Sequence, residues 1–250
     1  MVSSETLVSS ETLQGTLKVD VWRGDSEGRF QSFRVARREH QTILDVVTEI
    51  QREQDATLSY RFACRVGMCG SCAMTVNGRP RWTCRTRVNQ VTGSDGALRI
   101  EPLRNLTVVK DLAVEMTDFF DKWRDAKGYF EPGSEPREDF AIVPPASRQR
   151  RAADAGIECI GCGVCYSACD VVAWDKDYLG PAALNRAWTL VNDVRDTGND
   201  ARMDAVSGNS GCQSCHTHMN CTQFCPKAIA PTYSISGLKR SMMTRALKRP

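Results

Sequence analysis

The sequence predicts an α+β chain in two parts, a strand-rich N-terminal domain over residues 16–120 and an all-helical domain over 121–250. Three observations lead there. Leu17, Val19 and Val21 alternate with polar residues, the period of a half-buried strand. From about residue 107 the apolar residues recur at helical spacing instead, as in Val108, Leu112, Met116, Phe119 and Trp123. The 12 cysteines fall into one set in the first part and two in the second.

Residues 2–13 repeat VSSETL in tandem, and with their neighbours, 1–15, they read as a disordered polar tail. Thr16–Trp22 is the first strand, Gly24–Gly28 a hairpin loop and Gln31–Ala36 a second strand. Ile43, Leu44, Val47 and Ile50 place a helix over Thr42–Glu53, with Thr42 as its cap. Ala73–Val76, Asn77-Gly78 and Arg79–Thr83 form a hairpin with a type I′ turn, and Leu98–Ile100 is a last strand. One helix follows from Thr107 to Asp125. Gly128–Ser147, with its prolines and mixed charge, reads as a linker. Gly180-Pro181 opens a helix through about Val194, Pro181 standing early where its missing N–H costs nothing. Asp193–Ser210 is polar and Gly-rich, the pattern of a loop. Ser236–Leu247 is the last helix, with a basic end from Lys239 to Arg249 that suits either anionic headgroups or solvent.

The composition narrows the function. Against 30 acidic residues stand 33 basic ones, a net charge of +3, which is not the basic excess of a nucleic-acid binder. No apolar run approaches the roughly 18 residues needed to cross a bilayer, and Met1–Gln14 lacks the features of a signal peptide. A cytoplasmic location is therefore expected, where thiols stay reduced and cysteine clusters bind metal. The chain carries no acid–base or nucleophilic set.

Cys64, Cys69, Cys72 and Cys84 are spaced C-x4-C-x2-C-x11-C, the plant-type ferredoxin rhythm of a [2Fe-2S] cluster. With the small mixed sheet and single helix, this fits a ferredoxin-like β-grasp. Cys159, Cys162, Cys165 and Cys169 follow the bacterial-ferredoxin run, and Cys212, Cys215, Cys221 and Cys225 make the third set. The second half thus reads as a bacterial-ferredoxin-like two-cluster domain. Glycines 67, 70, 161 and 163 let the loops curl so that backbone N–H groups face sulfur. CxxC pairs also hold structural zinc, so a zinc-binding module is the competing reading. Three cysteines in close succession, however, suit a group of several irons.

In two-cluster ferredoxins the fourth cysteine of a run serves the other cluster. Cys159, Cys162 and Cys165 then pair with Cys225 around a [4Fe-4S] cluster, while Cys169 joins Cys215 and Cys221. Counting back from Cys225 places His218 where a cysteine is due. Three thiolates favour a [3Fe-4S] cluster, with Cys212 a buried non-ligand thiol. The alternative is that Cys212 or His218 supplies a fourth ligand. His40 lacks metal spacing and reads as a surface residue.

YRFACRVGMCGSC (60–72), WTC (82–84), EPLRNLTVVKDL (101–112), CIGCGVCYSAC (159–169), GPAAL (180–184) and CHTHMNCTQFCPK (215–227) together resemble the iron–sulfur subunit of the succinate dehydrogenase / fumarate reductase family. The resemblance implies a flavoprotein partner that oxidises succinate on FAD, a membrane anchor, and transfer of electrons along three clusters to quinone. It implies quinone contacts at His216 and Trp174 and a peripheral position on the cytoplasmic side of the inner (plasma) membrane. Quinol:fumarate reduction is the same chain run in reverse. The sequence departs from the family at Asp170 (often proline), at Ala173-Trp174 (a Trp pair) and at His218 (apolar).

Overall fold

The computed structural model describes residues 15–93, 96–133 and 140–248. The expected tail at 1–15 and the end of the basic segment at Arg249 fall outside them, Gly15 apart. The N-terminal sheet has five strands, β1 (Thr16–Arg23), β2 (Arg29–Ala36), β3 (Ala73–Val76), β4 (Arg79–Trp82) and β5 (Ala97–Glu101), in the order β2-β1-β5-β3-β4. β1 and β5 are parallel and the other neighbours antiparallel. Pro80 sits on edge strand β4, where a missing N–H breaks no ladder. Asn77 (φ 48) and Gly78 (φ 75) carry the two positive φ angles that the type I′ turn requires.

Leu17, Val19 and Val21 are fully buried, as the alternation requires, and pack against α1 (Ile43–Glu49) through Ile43, Val46 and Val47. Thr42 caps α1 in a reciprocal box with Asp45. The helix ends earlier than its apolar spacing implies, and Ile50–Gln54 continues as a π turn.

The helix expected over Thr107–Asp125 forms only from Thr117, as α2 (Thr117–Asp125). Before it lies a small hairpin, β6 (Val108–Lys110) and β7 (Ala113–Val114). Asp111 turns it with φ 53. Its buried carboxylate accepts the N–H of Gly24 at 2.7 Å and of Ser59 at 2.8 Å, and meets Arg23 Nε at 3.2 Å. These remote partners outweigh the helical spacing.

The second half holds α3 (Arg148–Ala153), α4 (Val164–Ser167), α5 (Asp170–Trp174), α6 (Gly180–Val191), α7 (Asn199–Ala205), α8 (Asn220–Gln223) and α9 (Pro231–Lys248). Central α6 is buried over most of its length and packs on α9 and α2. α2 sends Phe119 into this core beside Tyr166, so the expected boundary at residue 120 runs through a helix that the helical domain grips. α9 starts five residues before the expected Ser236. The expected loop over 193–210 contains α7. Polar composition hid this helix because its central residue is Arg202, which is 0% exposed. Arg202 forms a two-pronged pair with Asp196 (2.7 and 3.0 Å) and donates to the carbonyls of Lys127 and Tyr129.

Candidate metal centres

The first cysteine loop is built to present N–H groups to sulfur. Arg65, Gly67 and Gly70 take positive φ angles. The N–H groups of Val66, Met68 and Cys69 then point at Cys64 Sγ at 3.4, 3.2 and 3.4 Å. Cys84 lies in the 3-10 turn (Thr83–Arg85) just after β4, the far strand of the hairpin, its N–H 3.5 Å from Cys72 Sγ. The Ser71 hydroxyl, with the N–H groups of Cys64 and Ser71, holds the Cys69 thiol down to about 6. Burial pushes Cys84 up to about 12.

In the helical domain the cysteines of the two runs gather crosswise. Cys159, Cys162, Cys165 and Cys225 line one cavity. Cys169, Cys215 and Cys221 line another, together with His216, His218 and Asp170. The backbone shows why. Gly161 and Gly163 take φ 63 and 75, and in the matching register Thr217 and Met219 take φ 61 and 66. Gly163 precedes α4 and Met219 precedes α8 in the same left-handed conformation. The third run therefore repeats the loop of the second without glycine, at a cost of roughly 1–2 kcal/mol for each strained residue. Strain of this kind collects at functional sites. In this repeat His218 occupies the place of Cys162.

Burial pushes up Cys159, Cys165, Cys169 and Cys221, and takes Cys162 to about 12. These thiols stay protonated unless a cation replaces the proton, so metal uptake must release protons. Among the described residues no three His, Cys, Asp or Glu side chains converge on a single ion. Soft sulfur donors set around enclosed cavities, with N–H groups aimed at sulfur, fit iron–sulfur clusters.

Of the other candidates, Cys212 is fully buried with its sulfur 3.2 Å from Met242 Sδ, and it lines neither cavity. His218 Nδ1 lies 3.2 Å from Asp170 Oδ2, and its ring stands edge-on to Trp174. Trp174 is 71% exposed, unlike a core tryptophan. The His216 and His218 rings are 6.1 Å apart. His40 is exposed, beside Arg87. The basic end of α9 is partly engaged: Lys239 donates to the Cys215 carbonyl at 2.8 Å and Arg245 pairs with Asp200 and Asp204.

Two contacts between the domains escape sequence reasoning. Asn105 (φ 67) donates to the carbonyls of Tyr166 and Cys169, both at 3.1 Å, and so ties the exit of the first domain to the second cysteine run. Gly70, between Cys69 and Ser71, lies directly against Cys162. Nothing local marks either contact. Asn105 falls inside the 101–112 stretch that carried the family resemblance, which was its only signal.

Residues 16–121 match the family described as a 2Fe-2S iron–sulfur cluster binding domain, and residues 156–229 match the 4Fe-4S dicluster domain. The fumarate reductase iron–sulfur subunit of Mycobacterium tuberculosis (strain CDC 1551 / Oshkosh) is 35% identical over 90% of this chain and 90% of its own length. Succinate dehydrogenase [ubiquinone] iron–sulfur subunit 1, mitochondrial, of Oryza sativa subsp. japonica is 35% identical over 79% of this chain and 70% of its own. In structure, a chain of the Mycobacterium smegmatis Sdh1 complex in the apo form superposes with a TM-score of 0.85 at 26% identity, covering 94% of this chain and 98% of that one.

Proposed function

We infer that this chain, which belongs to the family of iron–sulfur subunits of succinate dehydrogenase and fumarate reductase, carries electrons between a flavoprotein and a quinone-binding membrane anchor. It is the electron-carrying rather than the substrate-oxidising subunit. Flavin chemistry on FAD belongs to the partner. The clusters supply one-electron chemistry when bound, and the chain supplies thiolates, N–H donors and an enclosed setting. Cys64, Cys69, Cys72 and Cys84 hold the [2Fe-2S] cluster, Cys159, Cys162, Cys165 and Cys225 the [4Fe-4S] cluster, and Cys169, Cys215 and Cys221 a [3Fe-4S] cluster.

The crossed gathering of the two runs carries this reading: Cys225 joins the second run's cavity and Cys169 the third's. For the [3Fe-4S] assignment, the support is that the His218 ring is directed to Asp170 and that Cys212 lines neither cavity. Exposed Trp174 and neighbouring His216, beside the terminal cysteines, suit contact with quinone. No helix among the described residues is long and apolar enough to cross a membrane. A peripheral position, held at the cytoplasmic face of the inner membrane by an anchor subunit, is the matching location. Quinol:fumarate reduction is the second reading, favoured by the name of the Mycobacterium tuberculosis relative.

The test is the native complex, assayed for succinate-driven reduction of ubiquinone and menaquinone analogues and for three electron paramagnetic resonance signals. Cys69→Ala should remove the [2Fe-2S] signal and halt quinone reduction while succinate still reduces the flavin. Unchanged quinone reduction in that variant would refute the assignment, as would a colourless protein containing zinc.

A further inference from the structure

The two cavities of the helical domain differ in what faces their sulfurs. Around Cys159, Cys162, Cys165 and Cys225 the lining includes Phe119, Ile160, Ile229 and Pro231, with Asn185 and Lys227 as its polar side chains and, among the described residues, no hydroxyl group. Around Cys169, Cys215 and Cys221 the surroundings are hydroxylated. Thr232 Oγ1 lies 3.4 Å from Cys221 Sγ, in a contact buried from solvent. Thr222 Oγ1 lies 2.9 Å from Thr232 Oγ1 and accepts the Thr232 N–H at 3.4 Å.

Proton bookkeeping orients this chain. A cysteine sulfur that holds iron carries no hydrogen, so the Thr232 hydroxyl must donate to Cys221. Its oxygen is then free to accept from the Thr222 hydroxyl, and each bond polarises the next.

We propose that the Thr232 hydroxyl donates a hydrogen bond to the Cys221 sulfur and thereby raises the reduction potential of the terminal cluster. The proposal rests on the cluster assignment above. Reduction adds one electron, whose charge spreads onto the sulfurs. A fixed donor aimed at sulfur stabilises that added charge, and such hydrogen bonds are an established lever on cluster potential.

The test is a potentiometric titration of the full chain in its native complex, followed by electron paramagnetic resonance, for Thr232→Val, Thr232→Ala and Thr232→Ser. Loss of one bond to a charged acceptor is expected to shift the terminal reduction equilibrium by about tenfold, or about 59 mV for a one-electron couple. The terminal midpoint should fall in Thr232→Val and Thr232→Ala and hold in Thr232→Ser. The midpoint of the neighbouring centre should hold in all three. If one variant fails to assemble, the other decides alone. An unchanged terminal midpoint in the Val and Ala variants, or an equal fall in the Ser variant, overturns the proposal. Lack of a third signal in the unsubstituted protein instead overturns the cluster assignment beneath it.

Discussion

Replacing Gly70 by alanine tests whether passage from the first cluster domain to the second depends on the close approach of Gly70 to Cys162. A Cβ at Gly70 would sit 2.5 Å from Cys162 Cβ and 2.8 Å from Cys162 Cα. Carbon atoms pack at about 3.5–4.0 Å, so the two loops must part by about 1 Å. Gly70 also has φ 72, which costs an alanine roughly 1–2 kcal/mol. Overpacking adds about 1–3 kcal/mol, for a sum of about 2–5 kcal/mol, or roughly 4–20 °C in the Tm of a chain this size. Gly78→Ala is the control. It has a similar positive φ of 75 with nothing within 4 Å of the added carbon, so it carries the backbone cost alone. The assay is thermal unfolding followed at the cluster absorbance, with the [2Fe-2S] signal recorded during succinate turnover. Tunnelling weakens exponentially with distance, so the first centre should accumulate reduced in Gly70→Ala. Equal destabilisation in the two variants would refute the clash, and an unchanged steady-state reduction level would refute its role in electron passage.

Arg202→Met leaves the Asp196 carboxylate buried and unpaired, and should cost about 3–5 kcal/mol by denaturant unfolding; a loss under about 1 kcal/mol would contradict the buried pairing. In the cluster-free chain Cys69, held to about 6, is mostly thiolate at pH 7, whereas Cys84, pushed up to about 12, is not. After allowing for the weaker nucleophilicity of a low-pKa thiolate, Cys69 should be alkylated about two orders of magnitude faster at pH 7. Its rate should level off above pH 7 while that of Cys84 still climbs, as mass spectrometry at several pH values would show. His218→Ala and Cys212→Ser should each keep the oxidised [3Fe-4S] signal of the anaerobic native protein; a signal that appears only in a variant identifies that residue as a fourth ligand. His216→Ala and Trp174→Ala should slow quinone reduction by about tenfold or more with all clusters assembled, and normal turnover in both would remove the proposed quinone contacts.

The cysteine spacings, the Asn77-Gly78 turn, the β1 alternation and the Thr42 cap were all legible in the sequence, because each rests on residues a few positions apart and on chemistry that few residue types can do. The register that sets His218 opposite Cys162 was legible too, since two runs in one chain can be counted against each other. What only the tertiary structure decided depends on partners far along the chain. Asp111 breaks an apparent helix because its carboxylate binds amides at Gly24 and Ser59. Arg202 turns an apparent loop into a helix by pairing with Asp196 and reaching back to Lys127 and Tyr129. The approach of Gly70 to Cys162, the clamp of Asn105 on the second run, and the Thr232 hydroxyl beside Cys221 likewise join segments with no periodic trace. Local pattern reports which side chains share a face of one element. Charge burial and close backbone approach are settled only when separate elements meet.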